Sequence, residues 1–405
     1  MPLSAVRLVR DRPTWLMYGQ LGLWAYFLYA FTPIVPLLRA EQHTSRMVAS
    51  LHGTAFAAGS VLGGALLPAL ARRYDWNTRI WGGMAGVAVV VVGLSVSRPL
   101  AMTLPLAAVV GIFGSIAVNS ITAALSGHHG AAGTSAISEA NAVAAGVGIV
   151  APLIVGAAVT LGLGWRPGLL VMAGGLIVLA LVVSRRGVRI PAERVAAGAV
   201  RTGRLPRRYW LAFGSLFATG AVEMCLSQWV ADVLRVNHGL SAGAATAGVS
   251  SVLAGMFVGR VVGGCLALRR PAAWVLLGGL AISMVGFGVF WFAGPGWLAI
   301  VGLGVCGIGN GVHFPLGISL AIDNSGGQPD LATSRTSYAI GLAFGAAPFA
   351  LGAIADRLGT HTAFAMVPLF LAMAVGMVVP LALRGGRGGG PEVGELDAEL
   401  AHEAA

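Results

Sequence analysis

Polar residues are scarce along this chain, and they gather between long apolar runs. Twelve runs stand out, near 13–38, 47–70, 78–97, 100–126, 134–162, 167–184, 208–235, 241–267, 272–293, 296–323, 331–356 and 360–383. Each is close to the ~20 residues that a helix needs to cross the hydrocarbon core of a bilayer. In that core only helices and closed barrels satisfy every backbone N–H and C=O group. The pattern predicts an all-α polytopic membrane protein with twelve transmembrane helices. The turns after the second and eighth runs are marked by Arg72-Arg73-Tyr74-Asp75 and Arg269-Arg270-Pro271.

The runs divide six and six. The arginine-rich segment 185–207 has no strong apolar period and separates an N-terminal half, 1–184, from a C-terminal half, 208–384. A Gly-rich, then acidic tail, 385–405, reads as disordered. The halves look like repeats. "GSVLGGALL" (59–67) lines up with "GRVVGGCLA" (259–267) at an offset of 200, "APLIVGA" (151–157) with "APFALGA" (347–353) at 196, and "GIFG" (111–114) with "GVCG" (304–307) at 193. Parallel six-helix repeats about an axis along the membrane normal are one transporter plan.

Composition sharpens this picture. The chain is 57% hydrophobic and 10% charged, too apolar for a soluble protein of 405 residues. The net charge of +11 does not point to nucleic acid. Most of the arginines fall on one side of the predicted spans, in the segments around Arg10, Arg72, Arg189 and Arg269, and few on the other, such as Arg39, Arg46 and Arg235. The positive-inside rule then puts both termini in the cytoplasm. The absence of lysine beside abundant alanine, glycine and arginine suggests a high-GC bacterial genome, hence a bacterial inner-membrane protein. Cys225, Cys265 and Cys306 all lie in spans without metal-ligand spacing and read as packing residues. No P-loop, nucleophile elbow or metal cluster stands out, so no cofactor, metal or catalytic group is expected. His128-His129 read as solvated loop residues.

Six plus six spans, a basic central connection and Gly-rich second and eighth spans running into basic turns make the chain resemble the major facilitator superfamily over about residues 13–384. "GGALLPALARRYDWNTR" (63–79) is similar to the loop signature after that family's second span, which implies a gating role for Arg72 and Arg73. "GVGIVAPLIVGA" (146–157) resembles the fifth-span Gly-Pro motif of its exporters, and implies a gating role for Gly148 and Pro152. "GAVEMCLSQWVADVLRVNHGLS" (220–241) with "AVN" (117–119) is similar to a bacterial branch near the fucose-permease-like transporters. The superfamily's first, fourth, seventh and tenth spans line the substrate cavity.

Those four spans carry polar stripes. Thr219, Glu223 and Ser227 share one face of the seventh. Ser115, Asn119, Thr122 and Ser126 share one in the fourth, and Asn310, His313 and Gly317 one in the tenth. In the first, Tyr18, Gly22, Tyr26 and Tyr29 do so, with Gln20 nearby. An acid well inside a span costs ~2.5–3.5 kcal/mol on insertion scales and marks function by default. Glu223 sits near mid-bilayer and is expected to carry a proton or bind a cation; the alternative is a structural, hydrogen-bonded acid. Glu139 is a second protonation site, part of an inner gate, or a residue capping loop contacts. His313 either shares a proton with Glu223 or packs as a neutral histidine. Arg260, near the cytoplasmic end of its span, is expected to latch onto Asp323 or loop carbonyls. Asp232 and Asp323 sit near helix ends, where water is close. Gln228 and Trp229 cap the cavity or anchor at the interface.

These residues predict a monomeric secondary transporter of a small molecule, working by alternating access and driven by protons. Efflux of amphipathic or cationic compounds is the first expectation; proton-coupled uptake of a sugar or organic acid is the second. An intramembrane enzyme would need Glu223 and His313 as its chemical pair, and the six-plus-six repeat argues against it. A non-transporting receptor or scaffold is the remaining class.

Overall fold

The protein, seen in a computed structural model, is described over residues 8–190 and 204–385. The middle of the arginine-rich connection and the tail lie outside the described residues. The regular structure described is helical: α1 (Arg12–Gln42), α2 (Arg46–Ala71), α3 (Trp76–Val96), α4 (Leu100–His129), α5 (Gly133–Thr160), α6 (Arg166–Arg186), α7 (Arg207–Val236), α8 (Ala242–Ala267), α9 (Ala272–Phe292), α10 (Gly296–Asn310), α11 (His313–Asp323), α12 (Pro329–Leu358), α13 (Thr360–Ala363) and α14 (Met366–Gly385). Together they make twelve spans long and apolar enough to cross a membrane. Capping residues begin several of them. Asp11, Ser45, Asp75 and Ser241 each accept a hydrogen bond from the backbone N–H three residues on, which satisfies a donor that the helix cannot.

The tenth span departs from the single helix that the sequence predicts. It is two helices, α10 and α11, joined by a tight turn at Gly311–Val312 in which Val312 N–H bonds the Gly309 carbonyl. Gly311 lies against the α8 backbone at Met256, an approach that any side chain would block. The last span is likewise broken, into α13 and α14.

Two apolar clusters form the interior. One is built from α1 to α6 and the other mainly from α7 to α14. The same contacts recur in each, 200 residues apart. A methyl group at Gly59 would collide with the Ala108 carbonyl, and one at Gly259 with the Ile308 carbonyl. Gly111 packs on the Phe56 carbonyl as Gly311 packs on that of Met256. The fourth and tenth spans therefore correspond at an offset of 200, not at the 193 read from "GIFG" and "GVCG". Those two tetrapeptides are alike because close helix packing selects small residues in both.

With twelve spans, both ends of the described chain fall on one side, here the near end. The halves meet along α2–α12 and α5–α8, toward the far end. Ser50 Oγ donates to the Pro348 carbonyl at 2.9 Å, and Ser250 Oγ to the Ile149 carbonyl at 2.8 Å. These two serines, again 200 apart, make matching bonds across the halves. Thr54 adds a 2.7 Å bond to the Gly345 carbonyl. Toward the near end, Val61 and Leu62 of α2 and Tyr338 and Leu342 of α12 are exposed.

Candidate functional site

A cavity of about 150 Å³ lies between the halves. Its lining includes Tyr29, Thr219, Glu223, Arg260, His313 and Phe344. Glu223 is the acid on α7, and Tyr29 Oη donates to its Oε1 at 3.4 Å from α1, in the other half. Arg260, about two turns before the end of α8, stands close enough to both for a charge interaction. The structure thus turns Arg260 to the cavity and not to Asp323. Asp323 is exposed and borders a separate pocket with Arg208. The break between α10 and α11 brings His313 and Phe314 to the same cavity. The His313 Nε2, however, is 3.4 Å from Ser283 Oγ of α9, so the ring is aimed into its own half.

The first-span stripe divides among three neighbours. Tyr18 Oη donates to Glu139 Oε2 at 3.2 Å and Tyr26 Oη to the Gly168 carbonyl at 2.6 Å. Only Tyr29 reaches the cavity. Tyr26 is therefore not a cavity residue; its hydroxyl is satisfied against α6. Gly148 of α5 makes room for Tyr29, since a methyl there would lie 2.6 Å from the tyrosine ring. One turn on, Pro152 has no N–H to offer the Gly148 carbonyl. Farther along, Gly156 packs against Gly243 and Ala247 of α8. The Gly-Pro motif thus seats a cavity tyrosine and joins the halves. Gly148→Ala is expected to displace Tyr29 and, like Tyr29→Phe, to slow transport about tenfold, the worth of one hydrogen bond. Tyr26→Phe should leave transport unchanged and cost about 1 kcal/mol of stability. Initial rates in vesicles and melting temperatures distinguish these outcomes.

Glu139 is not an unpaired acid. Arg10 donates to it twice, from Nε at 2.8 Å and from Nη2 at 2.5 Å, and the carboxylate in turn raises the Arg10 guanidinium above its ordinary value. Arg10, Tyr18 and Glu139 all belong to one half, so this cluster ties the chain start to α5. Such an exposed pair contributes little stability.

The remaining predicted residues are dispersed. Asn119 donates to the Ser115 carbonyl at 2.8 Å and to its Oγ at 3.1 Å; it is exposed and apart from the Glu223 cavity. Thr219 lines the cavity but bonds back to the Ser215 carbonyl. Asn310 is buried, with Nδ2 3.7 Å from the Met256 sulfur. Gln20 is fully buried, and neither amide atom has a partner among the described residues; nothing in the structure explains it. Ser227 is buried, its hydroxyl unpartnered among the described residues. Gln228 lies against Gly53 of α2, and Trp229, fully buried, donates to Ser50 Oγ at 3.2 Å. Gln228 and Trp229 therefore sit in the sealed junction beyond the cavity. Arg72 and Arg73 are exposed and make no ion pair among the described residues.

The sequence reading missed the far-end seal. Asp232, expected near water, has a side chain with 0% exposure. It takes Arg46 Nε at 2.8 Å and lies 3.6 Å from Arg39, both from the other half, and Thr360 donates to it at 3.3 Å. Asp356 of α12 accepts the N–H groups of Arg46 and Met47 at 2.8 and 2.9 Å, capping the start of α2 from across the halves. The only signal in the sequence was the coincidence of Arg39, Arg46, Asp232 and Asp356 at ends of spans on one side.

A family model described as the Major Facilitator Superfamily matches residues 27–334. No curated protein matches by sequence. Among solved structures, the fold is similar to a bacterial homologue of the human lysosomal transporter Spinster in an inward-facing, occupied conformation, with 16% identity, 93% of this chain and 98% of that one covered, and a TM-score of 0.73. It is similar to the superfamily transporter FucP in the outward conformation, at 17% identity, 91% and 98% coverage and a TM-score of 0.62. It is also similar to the nucleoside transporter NupG, at 12% identity, 91% and 97% coverage and a TM-score of 0.73.

Proposed function

This chain belongs to the major facilitator superfamily and is a membrane transporter, not an enzyme, and on that premise we propose that it moves a small organic acid together with a proton. Glu223 is the proton-carrying group. The observation that carries this reading is the meeting of Glu223, Tyr29 and Arg260, from both halves, at one cavity between them. A guanidinium stays charged at any physiological pH. When Glu223 is ionised it offsets Arg260. When Glu223 takes a proton, Arg260 is left to hold an anion, so a carboxylate and a proton load together. Expectation of a cationic cargo rested on an acid with no cation near it, and Arg260 removes that ground. The cavity, at about 150 Å³, falls below the ~300 Å³ of a drug-sized pocket, which suits a small solute with an apolar or aromatic body against Phe314 and Phe344.

The arginine bias supports a cytoplasmic near end in a bacterial inner membrane. Each half lines one wall of the path, so a monomer suffices. The test uses purified protein in vesicles with an acidic exterior. A panel of small carboxylates, with their amides and amines, competes for gradient-driven uptake. The reading expects inhibition by carboxylates alone; inhibition by the amines alone would overturn it.

A further inference from the structure

At the near end, away from the cavity, α1 begins beside the last turn of α4. There we propose that Asp11, His128 and His129 form a binding site for a transition-metal dication of the zinc class, which clasps the start of α1 to the end of α4. The sequence gives no hint of it, because the aspartate and the histidine pair are more than a hundred residues apart. In the folded chain one ligand atom from each lies within 4.8 Å of the others. The histidines are not simply solvated. His128 Nε2 is 2.7 Å from Asp11 Oδ2, and His129 Nε2 is 2.8 Å from Thr14 Oγ1. Their rings stand 4.7 Å apart at 69° to one another.

The chemistry favours this class of ion. Two imidazoles and one carboxylate suit zinc, cobalt or nickel; calcium and magnesium prefer all-oxygen shells. Bonds of about 2.0–2.2 Å to zinc require ligand atoms a little over 3 Å apart, a change of about an ångström that side-chain rotation supplies. The Asp11 carboxylate is already oriented. Its Oδ1 accepts Thr14 N–H at 3.0 Å and the Thr14 hydroxyl at 2.5 Å, which leaves Oδ2 for the ion. All three residues are half-buried, so an ion can enter from the near-end water. Neighbouring consecutive residues on a helix normally point apart. Here the helix ends at Gly130, whose φ is 52°, and both rings turn to the start of α1, His128 to Asp11 and His129 to Thr14. Arg10, adjacent to Asp11, holds Glu139 of α5, so the clasp would join α1, α4 and α5.

The experiment titrates the full-length protein, purified without an affinity tag, with cobalt chloride, and reads the visible absorption of histidine-bound cobalt. One equivalent is expected to bind. Binding should be lost in His128→Gln/His129→Gln and weakened at least about tenfold in Asp11→Asn. Zinc chloride should raise the melting temperature of the wild type only. The tail histidine is common to every protein, so its background cancels. If the double variant does not fold, His129→Gln and Asp11→Asn read the same loss singly. Equal cobalt spectra in wild type and variants, or none above background, would overturn the proposal.

Discussion

Glu223→Gln is expected to abolish proton-driven accumulation while leaving exchange of substrate across the membrane intact. Glutamine keeps the shape of the side chain and can still accept from Tyr29, but it cannot give up or take a proton in the cycle. Arg260 would remain available to an anion, so binding and equilibrium exchange persist. One pH unit across the membrane is worth about 1.4 kcal/mol per proton, enough to concentrate a one-to-one cargo about tenfold. The wild type should reach that ratio, and the variant should stop at equal concentrations. Because an anion and a proton move together without net charge, the ratio should not respond to an imposed membrane potential. Both are read from uptake of labelled solute into vesicles.

Asp232→Asn is expected to open the far end. The acid is fully buried and faces two arginines of the other half, one at 2.8 Å and one at 3.6 Å. Removing one member of a buried ion pair costs about 3–5 kcal/mol. Here the arginines retain nearly a fifth of their exposure, so we expect roughly 2–3 kcal/mol against the sealed state. That is a shift of about 30- to 150-fold toward states with the far end apart. Spin labels at Leu161→Cys and Leu358→Cys, exposed residues at far-end turns of the two halves, would report it, with exposed Cys265 replaced by serine. A longer distance should dominate in the variant; identical distributions would contradict the role given to Asp232.

The twelve spans were legible because bilayer thickness imposes a length that composition alone reveals. The repeat was legible where glycine is forced by backbone contact, as at Gly59 and Gly259, and misread where glycine is merely common, as at 304–307. Glu223 stood out because an acid inside a span is rare. Its surroundings did not. Tyr18, Tyr26 and Tyr29 share a stripe, yet each meets a different helix, and helical spacing fixes a face without saying what it faces. Arg260 was assigned to Asp323 from their shared end of the bundle, whereas the close packing of α8 on Gly311 turns it to the cavity. Asp232 looked hydrated from its place near a helix end; the partner half covers it. In each case the missing fact is a contact between residues far apart in sequence.

The central claim is that Glu223 carries a proton with the substrate. It is tested most directly by following the pH inside vesicles that contain the purified transporter and a trapped pH-sensitive dye, with no gradient at the start. Adding a transported carboxylate outside should acidify the lumen by one proton for each solute that enters, and Glu223→Gln should show exchange of solute with no change in the dye. Solute entry without acidification in the wild type, or acidification in the variant equal to that of the wild type, would contradict the account.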